Sequence, residues 1–464
     1  MMNLKSYIPF YKRNLAVAIP VMLSQLGQVV VQFADTMMVG RLGTDQLAAV
    51  SFAGAILNVG LLFCMGCAMG LTPLVGKASS QGNDRYSAHL FQNSFVLNML
   101  FGLGIGAILF VLSFFMGNMG QTPEVVAHAV PYFRIMVVSM IPTLLFLSFK
   151  QFMEGIGNTR TAMNITIAAN VLNIALNYVL IYGKFGAPAL GVAGAGYATL
   201  ISRMMMPVAF VWIFRKRMHL SRYFSFFNKA NFSWAHIKEL AKVGLPIGTQ
   251  IFVEQVAFSF TAIMVGWLGA GALASHQIAM NISFLVFMVL CGLASATTIR
   301  VSHQLGRGAV EDMRKAAHAS YHLTLASVGL IAVLILIFRH QIPMLFSQDP
   351  DVIAISAKLL LIVAIYLIPD GLQVVSLGAL RGISDVKVPM ILASIAYLGL
   401  NIPIGYLCGF ILGMGVTGVW IGFIFGLTAA AASFMIRFEK KSRTFVGEEQ
   451  DDDEPDMAPA LASA

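Results

Sequence analysis

The sequence predicts an all-α polytopic membrane protein, with twelve transmembrane helices arranged as two pseudo-symmetric six-helix lobes. Three observations carry that prediction. Residues of the 464-residue chain are 58% hydrophobic and only 11% charged, and mean hydropathy is +0.79; a soluble domain carries about 25% charged residues. Apolar runs of about 20 residues, each long enough to cross a bilayer as a helix, recur along the whole chain. The second half of the chain is also an approximate copy of the first. In hydrocarbon the backbone must satisfy its own hydrogen bonds, which selects helices, whereas a membrane barrel would alternate polar and apolar residues.

In chain order, the lead-in MMNLKSYIPFYKRN is aromatic and basic, has no small-residue cleavage site, and is expected at the membrane surface. The first six helices centre near Gln28, Ala55, Gly102, Val138, Asn170 and Met204, and the second six near Val256, Leu285, Ala326, Leu367, Ala396 and Ile424. Turns after the odd-numbered helices hold only Arg41, Lys184 and Arg339 as cations. The opposite side collects many more, among them Lys12, Arg13, Lys77, Arg215, Lys216 and Arg307. By the positive-inside rule both termini are cytoplasmic, so the net charge of +9 reflects a basic face against anionic lipid and not a nucleic-acid partner. The domain reading is an N-lobe over 1–214, an interfacial basic and aromatic linker over 215–237, a C-lobe over 238–441 and an acidic, disordered cytoplasmic tail over 442–464.

The repeat has a consistent offset. Pro20 in IPVMLSQ matches Pro246 in LPIGTQI, 226 residues on, and MVGRLG (38–43) matches MVGWLG (264–269) at the same spacing. Gly66, Thr72 and Gly82 pair with Gly292, Thr298 and Gly308. EGIGNTR (154–160) answers RGISDVK (381–387), and LGVAGAG answers MGVTGVW. Both halves start on the same side, so the repeats are parallel, an arrangement that places a transport site between them.

Cys64, Cys67, Cys291 and Cys408 all lie in apolar segments, and the Cys64–Cys67 pair has neither strand–helix context nor a nearby histidine, so they read as small core residues. The acids are more informative. Nearly all 21 fall in loops or the tail, with Glu154, Glu239, Asp312 and Asp385 placed at the cytoplasmic side, while Asp35, Glu254 and Asp370 alone lie deep in apolar helices. Each costs roughly 2.5–3.5 kcal/mol to insert, which marks a functional site, with Arg134 and Arg203 as the nearest intramembrane cations. Desolvation penalises the charged form, so such a carboxylate can exchange a proton, a hard cation such as Na⁺ or a lipophilic organic cation on the same oxygens. That is the logic of antiport.

Gln28 lies two turns before Asp35, Asn173 and Asn177 share one face of the fifth helix, and Thr199 is a further candidate for the same polar pocket. Tyr366 precedes Asp370 by one turn, and Pro369 directly precedes it. Pro20 and Pro246 occupy matching places in the first helix of each half, where a freed carbonyl permits bending.

The stretches IPVMLSQLGQVVVQFADTMMVGRLG, GVAGAGYATLIS, LPIG followed by FVEQVAFSF, and ALRGISDVKVP together resemble the multidrug and toxic compound extrusion family, closest to its NorM branch, over nearly the whole chain. The resemblance implies two six-helix lobes around a central cleft, export of cationic drugs and dyes in exchange for Na⁺ or H⁺, no cofactor beyond that coupling ion, and residence in the bacterial inner membrane. It implies an N-lobe cation site of Asp35, Asn173, Asn177 and Thr199, and a C-lobe site of Glu254, Asp370 and Tyr366 that could hold Na⁺. Pro20 becomes the bending point of the first helix, with Pro246 its counterpart, and Gln28 and Gln277 face the cleft and touch substrate, as do Asp35 and Asp370. A single copy suffices to form the site.

Three other readings rank lower. A lipid-linked oligosaccharide flippase of the same superfamily would want cleft cations for pyrophosphate, where this chain offers acids. An intramembrane transferase needs paired carboxylates for a metal–pyrophosphate, and Asp349 and Asp351 form the only close external pair, in a loop on the wrong side. A channel needs a filter-like loop or a symmetric charged ring, and the repeat has neither.

Overall fold

The computed structural model describes residues 4–228 and 231–452. Twelve helices long and apolar enough to cross a membrane account for nearly all of it: α1 (Lys5–Gly40), α2 (Thr44–Ser80), α3 (Asp84–Leu112), α4 (Pro123–Gly155), α5 (Thr159–Tyr182), α6 (Gly191–Lys216), α7 (Trp234–Gly266), α8 (Ala270–Gly306), α9 (Val310–Phe338), α10 (Pro350–Gly382), α11 (Lys387–Ile411) and α12 (Gly415–Phe445 as a span). An even number of spans returns both ends of the chain to one face, called the terminus side below.

Local sequence explains the irregular points. Pro20 and Pro246 sit inside α1 and α7, each leaving the carbonyl four residues earlier without its helical donor, yet both helices continue through them. The helix α4 breaks at Ser139, where Pro142 cannot donate to the carbonyl of Val138. About half of α11 is wound as π-helix, over Ile395–Asn401 and again over Leu407–Ile411.

Each lobe has its own interior. The N-lobe is filled by phenylalanines: Phe91 stacks on Phe152 with centroids 4.2 Å apart, and Phe149 on Phe210 at 5.3 Å. In the C-lobe Tyr366, Trp420 and Phe423 pack edge-on at 5.4–6.1 Å.

The lobes meet through small residues. Gly66 and Gly70 on α2 face Gly248 and Gly244 on α7; a Cβ on Gly66 would lie 2.6 Å from the Gly248 Cα, and one on Gly70 2.7 Å from the Gly244 nitrogen. The four-residue spacing puts each pair on one helix face, so the backbones can touch. The repeat reproduces this contact between α1 and α8: Gly292, the counterpart of Gly66, packs on Met22, the counterpart of Gly248. Gly76 and Ser302 are counterparts that touch each other, as they must near the pseudo-two-fold axis. Every glycine contact between the lobes lies in the terminus-side half of the spans, while matching far-side residues, Val30 with Val256 and Met37 with Ile263, are exposed. The lobes are therefore sealed on the terminus side. Gly66→Leu is expected to overpack the seal by about 1–3 kcal/mol. Spin labels on Gln81 and Lys238 should then show a new longer-distance population; an unchanged distance distribution would contradict the role given to this contact.

Two segments gain detail and two sequence expectations change. From Lys5 onward the lead-in is the first part of α1, with Phe10 buried against Ala316 and Ala319 and the Tyr11 hydroxyl 2.9 Å from His322 Nδ1 on α9. Its aromatic residues find an apolar partner in the other lobe. The linker contains a short helix, Met218–Ser225, tied to α3 by Arg222 and Tyr223 on Asp84. Helix α12 runs on as far as Asp452 where disorder was expected from 442, because Ser442 is buried and Phe445 packs on the C-lobe core; the rest of the acidic tail, 453–464, lies outside the described residues. Glu154 is not a loop residue but a buried one near the end of α4, compensated by Lys150 at 3.8 Å.

Candidate functional site: two acidic clusters, one in each lobe

The N-lobe cluster is built by α1, α5 and α6. Asp35 is half-buried on α1 and accepts a hydrogen bond from Asn177 Nδ2. The same amide reaches Asn173 Oδ1 at 3.1 Å, and Asn173 Nδ2 donates to Thr199 Oγ1 at 3.3 Å. Asn173 and Asn177 can do this because they are one turn apart on α5. The four residues assigned to one pocket from the sequence thus form one continuous hydrogen-bonded chain. Tyr182 closes α5 onto α1 by donating to the carbonyl of Met38 at 2.8 Å. Arg203 on α6 is near enough to act on Asp35 electrostatically, yet its guanidinium donates to Ser139 Oγ at 2.7 Å instead.

The C-lobe cluster draws on α7, α10 and α11. Glu254 on α7 accepts from the Tyr397 hydroxyl at 2.7 Å. Asp370 on α10 is 2% exposed and lies close enough to Glu254 for the two charges to interact. Its Oδ2 has no hydrogen-bond partner. Tyr366, one turn before Asp370, is buried against Trp420. Arg381 Nη2 donates to Gln250 Oε1 at 3.2 Å, one turn from Glu254, and its Nε is left unpartnered.

None of the ion pairs among the described residues involves Asp35, Glu254 or Asp370. Each acid is held by neutral donors or left with free lone pairs, so each retains capacity for a cation. Among the described residues no group of three or more His, Cys, Asp or Glu converges as a metal cage, so these clusters offer one or two carboxylates each, beside hydroxyls and amides. Gln28 and Gln277 are exposed on α1 and α8 and join neither cluster. Pro20 and Pro246 lie in the terminus-side halves of α1 and α7, beside the glycine seal.

Sequence reasoning missed Tyr397, Gln250 and three further buried or half-buried cations, Lys150, Arg300 and Arg381. A signal for the first was present: Leu172-Asn173-Ile174 recurs as Leu400-Asn401-Ile402, which marks Asn401 as the counterpart of Asn173 and Tyr397 as the residue one turn before it. Tyr397 lies within the π-helical winding of Ile395–Asn401, and such winding recurs at functional sites. A hydrogen bond to a charged group contributes about 1.5–3 kcal/mol. Tyr397→Phe is accordingly expected to lower the activity that depends on Glu254 about tenfold with expression unchanged; activity at the wild-type level would show that this donor is dispensable.

The MatE family profile matches the chain twice, at residues 20–179 and 246–407. The two matches begin at Pro20 and Pro246, the same repeat that the sequence shows. The multidrug resistance protein MdtK of Yersinia pestis (strain Pestoides F) is 35% identical over 456 residues, covering 96% of this chain and 99% of that one. The multidrug resistance protein PmpM of Pseudomonas aeruginosa (strain PAO1) is 35% identical over 446 residues, covering 94% and 92%. Among solved structures, a multidrug resistance MATE family transporter of the MOP superfamily, in an outward-facing conformation, superposes with a TM-score of 0.86 at 20% identity, covering 94% of this chain and 97% of that one.

Proposed function

This chain is a multidrug efflux transporter of the MatE family, and from that premise we propose that it is a cation-coupled antiporter of the NorM branch. Na⁺ or H⁺ moving inward drives cationic, lipophilic drugs and dyes outward by alternating exposure of the space between the lobes. The protein resides in the bacterial inner membrane with both termini cytoplasmic, and a single copy completes the site, since both acidic clusters are built within one chain.

The observation that carries this reading is the state of the three intramembrane acids. None of them forms an ion pair among the described residues, although Arg203 and Arg381 stand near Asp35 and Glu254, and Asp370 keeps an unpartnered oxygen in the interior. A carboxylate so placed is costly unless something cationic visits it. Inward-moving ion and outward-moving organic cation compete for that neutralisation, and this competition is what couples them. Glu254 and Asp370, with the Tyr366 and Tyr397 hydroxyls, supply the oxygens for the coupling cation; Asp35, Asn173, Asn177 and Thr199 supply the second polar cluster. The terminus-side glycine seal is the closed gate of an outward-open state, and the prolines give α1 and α7 room to bend when that gate parts.

Ethidium efflux from energised cells expressing the protein tests the coupling. A Na⁺ pulse at fixed external pH, beside an equal K⁺ pulse, should accelerate efflux if Na⁺ is the coupling ion. Equal rates that collapse with a protonophore identify H⁺. Absence of efflux under every condition would overturn the antiport reading.

A further inference from the structure

The repeat allows the interiors of the two lobes to be compared position by position, and they differ where it matters for the ion. At the offset that aligns EGIGNTR with RGISDVK, Gln373 and Ser376 on α10 correspond to Phe146 and Phe149 on α4. At the offset that aligns Gly82 with Gly308, Tyr321 on α9 corresponds to Phe95 on α3. The contact itself is repeated: Phe95 and Phe149 meet edge-on with centroids 5.1 Å apart, and the Tyr321 hydroxyl faces Ser376. In the N-lobe this level is plugged by phenylalanines. In the C-lobe the same level is polar.

It is also unsatisfied. Asp370 Oδ2 and Gln373 Oε1 lie in the interior with no hydrogen-bond partner, and the Ser376 and Tyr321 hydroxyls have only each other, on side chains at least nine-tenths buried. Buried polar atoms are nearly always paired, and two orphans followed by an isolated hydroxyl pair along one path call for water or an ion beside them. Asp370, Gln373 and Ser376 follow at three-residue steps, each about 4.5 Å further along α10 towards the terminus side. From Tyr321 the path meets His318, whose ring lies 6.0 Å away, and Glu439, which accepts from Arg314 at 2.7 Å and from His318. These last three are about one-third exposed. The line therefore joins the mid-membrane acid to the terminus-side surface.

We infer that the C-lobe contains a private, water-bearing route, Asp370–Gln373–Ser376–Tyr321–His318/Glu439, through which the coupling cation leaves the Glu254–Asp370 site for the terminus side without passing the seal between the lobes. The inference rests on the antiport reading above and assigns ion release to the C-lobe; the phenylalanine plug denies the N-lobe an equivalent. The cation is monovalent and travels hydrated or as a proton relayed between the orphaned oxygens. The drug, too large for this path, moves only between the lobes.

The test uses the full chain in proteoliposomes, with ethidium as the probe and an imposed Na⁺ gradient or pH gradient as separate arms. Ser376→Thr keeps the hydroxyl, and Ser376→Val keeps the same volume without it. Dye affinity should stay within about twofold of wild type in both. Exchange at saturating dye should stay near the wild-type rate in Ser376→Thr and fall at least tenfold in Ser376→Val, and likewise in Tyr321→Phe and Gln373→Leu. The arm in which the fall occurs identifies the cation. Equal rates for the Thr and Val variants, with Tyr321→Phe and Gln373→Leu as fast as wild type, would overturn the route. Should Ser376→Val not fold, the other two variants decide by the same criterion. A wild-type protein that exchanges dye under neither gradient would instead remove the antiport reading, and this route with it.

Discussion

Cells expressing Asp370→Asn are expected to extrude ethidium no faster than cells lacking the transporter, a loss of about a hundredfold or more in coupled rate. The magnitude follows from charge. A monovalent cation in this interior that loses one of its two carboxylates loses several kcal/mol of compensation for its desolvation, and each 1.4 kcal/mol is tenfold in occupancy. The change should not harm folding. Asp370 makes no ion pair among the described residues, and its Oδ2 is already unpartnered, so a neutral amide relieves an insertion cost of roughly 2.5–3.5 kcal/mol. Thermal stability of the purified variant should equal or exceed that of wild type. Glu254→Gln should behave alike, with the Tyr397 hydroxyl still able to donate to the amide oxygen. A structural role makes the opposite forecast: loss of stability together with loss of transport.

The second large effect belongs to Asp35. Its carboxylate terminates a chain that runs through Asn177 and Asn173 to Thr199. Asp35→Asn removes the charge while keeping the shape, and the expected outcome is a loss of at least about tenfold in efflux, measured as initial ethidium rate at equal surface expression. Asn177→Ala should cost less. It withdraws a hydrogen bond to a charged group, worth about 1.5–3 kcal/mol, but leaves the charge and the Asn173–Thr199 link in place. A graded result, with Asp35→Asn more severe than Asn177→Ala, separates a charge requirement from a requirement for the network.

Much of this molecule was legible from residues because a bilayer leaves few choices. Helical backbone and spans of about 20 apolar residues follow from the hydrocarbon solvent, and an acid such as Asp35 within such a span stands out because it is expensive. The one-turn spacing of Asn173 and Asn177 was sufficient to place them on a common face. What escaped was set by tertiary context. Tyr397 reaches Glu254 from a π-helical stretch that no periodicity announces. The packing of the aromatic lead-in on the other lobe escaped because its apolar partners, Ala316 and Ala319, lie some 300 residues away. Glu154 looked like a loop residue because its buried partner, Lys150, was not recognised as intramembrane. Gln373 and Ser376 were passed over since an uncharged polar residue in a span is unremarkable alone; only alignment with Phe146 and Phe149 shows that the lobes differ there.

The central claim is that coupling cation and drug compete for the same carboxylates. Equilibrium binding of ethidium to the purified protein, titrated with Na⁺ at fixed pH and with protons at fixed ionic strength, tests it most directly. The account predicts that one of the two cations displaces the dye, and that the displacement disappears in the Glu254→Gln, Asp370→Asn double variant. Dye affinity that ignores both cations in the wild-type protein would contradict it.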